Sequence, residues 1–409
     1  MQQTGKARWA PRPIRKSSSS LNISSAAGPS LCFPVVGATI VRPVMVRHLG
    51  TLFRFFSVLL ALCLFAPVRV VAQSQTNYTE AQLPVFELHS GFWINLHHTL
   101  YYEARQRKAA ASRDAGANKP SPASTKSLMT GKGLTDAEQK GWDDAVAYYA
   151  ANYAEKDLLF TTELIQLKDQ LGDFEDCDEI SGRKRKFCDA GLAPNLAQVL
   201  EAAAPVYRAR LWAEHDQANR HWILQVAPLV RGQGEGISER LADIYQTRWP
   251  HEKIRVDVVA YANWAGAYTT VDPLRVTISS LDSRNQGPQA LEVLFHEGSH
   301  GIAGQVQAAI IRECRQRDKP IPRDLWHALV FYTTGEVVRT VLTSPSANGA
   351  EKGKGSGVSG DGYKAYAFRE GLYQRGWKTY LELLQRFWQP YLDGKATFDD
   401  AIARMVSSL

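Results

Sequence analysis

Hydrophobic positions along this chain change their period once, and the change divides it. Between Phe92 and Tyr101 the apolar residues Phe92, Trp93, Leu96, Leu100 and Tyr101 recur at helical spacing, which predicts a helix entered from a loop that starts near Thr76. The same spacing runs from Asp136 to Leu171 and predicts one long helix, with further helices over 194–230 and 236–248. Gly232, Gly234 and Gly236 lie between the last two; no apolar strand precedes them and no phosphate-loop lysine follows, so they read as a helix-entry loop. The period then drops to two. Ile254, Val256, Val258 and Ala260 alternate with polar residues, and β-rich runs follow over Trp264 to Val271 and Arg275 to Ser280. Three short strands in succession predict a small antiparallel sheet. Pro288 then opens a helix over Gln289 to Ile302, another is expected from Leu325 to Leu342, and helices over 363–389 and 397–407 finish the chain. Residues 109–133 and 344–362, rich in Ala, Ser, Lys and Gly, read as exposed connections. The expected class is α+β, mainly helical, with a helical region over 73–250 and the sheet-bearing region over 251–409.

Charge changes the picture by where it sits. The 409 residues carry a formal net charge of +7, which by itself would invite a nucleic-acid or membrane-surface role. Residues 1–72, however, hold nine Lys or Arg and no acidic residue, leaving 39 basic against 41 acidic residues over 73–409, a net −2. No nucleic-acid partner is therefore expected. Arg47 and Arg54 precede the apolar run Phe55 to Phe65, Pro67 ends it, and Val70 to Ala72 supply the small residues of a signal-peptidase site. This predicts a signal peptide over 45–72, an exported protein beginning at Gln73, and no stable membrane span after cleavage, because a spanning helix needs about 20 apolar residues. Residues 1–44 form a polar extension, and a start at Met45 would give a signal of ordinary length. In an oxidising compartment Cys177 and Cys188 can close the basic loop Arg183 to Lys186, two free thiols being the alternative; Cys314 reads as a buried thiol on a helix.

The chemistry lies in His296-Glu297-Gly298-Ser299-His300. Histidines four apart share a helical face, so both rings can reach one zinc ion, and the intervening carboxylate is placed to take a proton from a water that the metal acidifies. A catalytic zinc needs a third protein ligand and an open position. Glu336 is the expected third ligand, a lone carboxylate on the apolar helix Leu325 to Leu342, where burying it is costly unless it ligates or is paired. His327, nine residues earlier and half a turn out of phase, is the alternative.

On His296, Glu297, His300 and Glu336, with the strands before them, residues 253–342 resemble the gluzincins, thermolysin-like zinc metallopeptidases. The resemblance implies a zincin-like region with a cleft between the sheet edge and the Glu336 helix. It also implies that Asn263 to Thr270 pairs with an extended peptide or protein substrate, and that a tyrosine such as Tyr363, Tyr366 or Tyr373 stabilises the oxyanion. The function expected is zinc-dependent cleavage of peptide bonds with Glu297 as general base. A zinc hydrolase of a non-peptide amide and an exported zinc-binding scaffold without turnover are the competing readings.

Overall fold

The computed structural model describes residues 83–116, 127–175, 177, 180, 192–343 and 362–409. These belong to one compact unit, Ser74–Leu409. The leader, Arg183 to Lys186, Cys188 and the 344–361 connection lie outside the described residues. Cys177 is disulfide-bonded, and Cys314 is a buried free thiol on a helix. No described helix is long and apolar enough to cross a membrane.

The fold is α+β and mainly helical, around a sheet of β1 (Phe86–His89), β2 (Ile254–Val259), β3 (Ala267–Val271) and β4 (Leu274–Ser279). The strand order is β1-β2-β4-β3. β1, β2 and β4 are mutually parallel, and only the β3–β4 hairpin is antiparallel, so the sheet is mixed rather than antiparallel. Two features escaped the hydrophobic pattern. β1 is only four residues long, and β3 folds back outside β4, so that β2 meets β4 directly.

Alternation assigns the two faces. Val256, Val258, Val276 and Ile278 join the large apolar core beneath the helix Pro288–Ser299. Arg255, Asp257, Arg275 and Thr277 point the other way, toward the N-terminal helices α1 (Phe92–Gly116), α2 (Asp136–Asn152) and α3 (Thr162–Asp173). That face is polar yet covered, and most of its groups are paired: Arg255 with Asp257 at 2.8 Å, Arg275 with Asp173 at 2.8 Å, Lys168 with Thr270 at 2.5 Å and His98 with Tyr268 at 2.9 Å, while Thr277 Oγ1 and Asp257 Oδ2 are buried without a hydrogen-bond partner. Pairing makes such burial tolerable.

Helix boundaries differ from the pattern at several places. The stretch over 136–171 is two helices, because Tyr153 and Leu158 bury themselves in the turn between α2 and α3 and continue the apolar period through non-helical backbone. α4 (Pro194–Tyr207) passes through a π-turn (Arg208–Trp212) into α5 (Ala213–Ile244), which runs straight through the three glycines. A Cβ on Gly234 would lie 3.2 Å from Pro84 Cγ, so the glycine lets the chain entering β1 cross the helix closely. In the C-terminal half α6 (Pro288–Ser299), α7 (Gly304–Gln316) and α8 (Leu325–Thr343) lead to short helical segments between Tyr366 and Leu392 and a last helix, Phe398–Ser407.

Candidate metal centre

α6 is seated by its apolar residues. Ala290, Leu291, Leu294 and Phe295 are buried, and the Phe295 ring meets Phe86 of β1 edge-on at 5.1 Å. Gly298 is a packing requirement as well as a motif position, since a Cβ there would stand 2.8 Å from the Trp249 ring. With the helix so placed, His296 and His300 project from one of its faces, and their Nε2 atoms approach to 3.3 Å.

The third histidine comes from α8. His327 Nε2 lies 3.3 Å from His296 Nε2, and the ligand atoms of His296, His300 and His327 all fall within 4.8 Å of one another. A tetrahedral zinc with Zn–N bonds of about 2.0–2.1 Å holds its nitrogens roughly 3.3–3.4 Å apart, so both separations fit one ion. Burial, followed by the neighbouring His300 and His327, holds His296 well below the usual imidazole range. Burial likewise lowers His300 to about 3 and His327 to about 4. All three are thereby neutral near pH 7, the form that ligates metal.

Glu336 does not join them. Its carboxylate accepts from Arg339 Nη2 at 2.5 Å, one turn along the same helix, so among the described residues the group that could hold a metal ion is His296, His300 and His327, without Glu336. The cost of a carboxylate on an apolar helix is met by that ion pair. Nine residues on an α-helix amount to about two and a half turns, so α8 could present only one of the two residues to α6. It presents the face that carries Trp326, His327 and Phe331: the Phe331 ring stacks on His296 at 3.6 Å, and Trp326 stands edge-on to His300 at 5.5 Å.

Glu297, the residue expected to act as base, lies beside the histidines. Its carboxylate lies 3.9 Å from His300 Nε2 and accepts from Thr269 Oγ1 at 2.6 Å, Thr269 being on the edge strand β3. Burial pushes the Glu297 carboxyl up to about 7, against the lowering effect of the Thr269 hydrogen bond. A carboxyl poised there can take up a proton and release it at neutral pH.

Of the three tyrosines, Tyr363 donates to Glu292 and Tyr373 donates to the Ala328 carbonyl at 3.2 Å. Tyr366 stacks on Phe331 at 5.7 Å, and its backbone N–H donates to Glu292 at 2.9 Å. Glu292 was missed from the sequence. It lies one turn before His296, fully buried, and desolvation raises its carboxyl to about 7 although the hydrogen bonds from Tyr363 and the Tyr366 N–H oppose this. The signal for it was the one applied to Glu336: an acidic residue inside the apolar run Leu291 to Phe295. Thr269 carries no such signal, because a threonine in a strand is ordinary.

No family description, curated protein or solved structure matches this chain.

Proposed function

We propose that this chain is an exported zinc-dependent hydrolase that cleaves peptide bonds, with a zincin-like catalytic region whose metal ligands are His296, His300 and His327. The observation that carries the reading is the convergence of three neutral imidazole nitrogens beside a buried carboxylate. A zinc ion held there would supply a Lewis acid that acidifies a water and polarises a carbonyl. The rest falls to the chain's own groups. Glu297 takes a proton at its carboxylate and returns it to the leaving amine, and Thr269 fixes that carboxylate's direction. Phe331, Trp326 and Trp377 surround the histidines and keep bulk water from their rings. β3 is a sheet edge beside Glu297, and an extended polypeptide can add to such an edge through main-chain hydrogen bonds. The reading of a zinc-binding scaffold is weaker. A purely structural site closes with a fourth protein ligand, whereas among the described residues the cluster has three.

Metal analysis of the purified protein, with peptide digestion by wild type and Glu297→Gln, tests the proposal. Zinc near one equivalent in both proteins is expected, with hydrolysis by the variant lower by about 10²–10⁴-fold. Absence of zinc, or undiminished cleavage by Glu297→Gln, would overturn it.

A further inference from the structure

At the start of the edge strand β3 the surface opens into a pocket of about 190 Å³, lined by Tyr102, Tyr261, Trp264, Leu281 and Arg284. Its floor is the Tyr102–Tyr261 pair, stacked at 4.2 Å and 11°. Trp264 is 77% exposed and Leu281 48% exposed, although both are large apolar residues beside a shaped cavity. The loop bearing Trp264 is built and held. Arg284 Nη2 donates to the Trp264 carbonyl at 3.1 Å, and the same guanidinium grips Asp282 at 2.6 Å and 2.9 Å. Gly266 follows in the left-handed region at φ +84, where any Cβ would collide with the Asp282 carboxylate.

Position along β3 says what the pocket faces. Thr269 points to the α6 side, where it meets Glu297, while Tyr268 and Thr270 point to the opposite side, where they meet His98 and Lys168. A polypeptide added to this edge shares the alternation, because directly opposed residues lie on the same face. Its residue opposite Thr269 faces the metal centre. The residue opposite Gly266, three positions away and roughly 10 Å along a strand, lies beside Asp282 and Arg284 of the pocket lining, which a Cβ on Gly266 would meet.

We infer that the Trp264 pocket is a substrate subsite that takes an uncharged aromatic or large aliphatic side chain three residues from the cleaved bond. The inference rests on the hydrolase reading and narrows it to polypeptide substrates rather than small amides. Size favours a side chain, since whole-ligand pockets run to about 300–1,000 Å³. Charge points the same way: among the described residues lining the pocket the one cation, Arg284, is already committed to Asp282, so an acidic group gains no partner there.

The test has two readouts. First, a proteome-derived peptide library is digested with the zinc-loaded protein and the cleavage sites are read by mass spectrometry. Phe, Tyr, Trp and Leu should be enriched at the third residue on one side of the cut, and Trp264→Ala should abolish that enrichment. Second, two peptides differing only as Phe or Ser at that position are titrated into Glu297→Gln protein. The Phe peptide should bind about 10- to 100-fold more tightly, and the ratio should fall toward one in the Glu297→Gln/Trp264→Ala double variant. Cleavage without enrichment at that position, or a preference that survives Trp264→Ala, would overturn the subsite alone. Failure of the zinc-loaded protein to cut any peptide would overturn the hydrolase reading and the subsite with it.

Discussion

Glu292 offers a quantitative check on how the motif helix is held. Its carboxyl is buried between α6 and the Tyr363–Tyr366 segment, and its pKa rises from 4.5 to about 7. Between these two values the unfolded chain loses the Glu292 proton while the folded protein keeps it. Stability therefore declines as pH rises through this window, by 1.36 kcal/mol for each pH unit. The contribution is fully present below pH 4.5, falls by about 3 kcal/mol in all, and levels off above about pH 7. Glu292→Gln removes the titration and keeps the side-chain volume. Its amide oxygen can still accept from the Tyr366 N–H, so any change in hydrogen bonding is a pH-independent offset. Urea unfolding of metal-free wild type and variant, followed by tryptophan fluorescence at half-unit steps from pH 4 to 8, reads the difference directly. The variant should gain on wild type by about 3 kcal/mol across that range, and other titrating groups, Glu297 included, cancel in the comparison. Parallel profiles, or a wild type that gains on the variant as pH rises, would refute the argument.

Zinc titration should find His327→Ala weakened well beyond the roughly 10- to 100-fold typical of residues that only orient a ligand, with Glu336→Ala inside that range; the reverse order would return the third position to Glu336. Gly335→Ala places a Cβ 2.6 Å from Ala365 Cβ and 3.1 Å from Glu292 Oε1, so unfolding measurements should show a loss of about 1–3 kcal/mol, and an unchanged stability would mean that α8 is less tightly packed than described. Thr269→Val deprives Glu297 of its hydrogen bond and should slow peptide cleavage by roughly 10- to 100-fold, with Thr269→Ser restoring it; equal rates in Thr269→Val and wild type would remove Thr269 from the machinery.

What could be read from the chain alone is what local geometry dictates. A helix turns every 3.6 residues, so His296, Glu297 and His300 had to share one neighbourhood wherever that helix was placed. A strand alternates, so β2, β3 and β4 were visible near their observed ends. Pairing order was not visible, because β1 joins β2 from far upstream and no local pattern records which distant edge a four-residue strand meets. Helix phase was likewise visible without its orientation. The spacing of His327 and Glu336 says that they oppose each other on α8, but which of them faces α6 depends on how α8 rolls as its apolar residues settle into the core. Arg339, one turn from Glu336, satisfied the carboxylate that otherwise argued for a ligand. The ring stack of Phe331 on His296 and the reach of Thr269 from β3 are contacts between segments distant in the chain. They exist only once the sheet edge, α6 and α8 have packed, and packing is decided by the whole core at once rather than by any window of sequence.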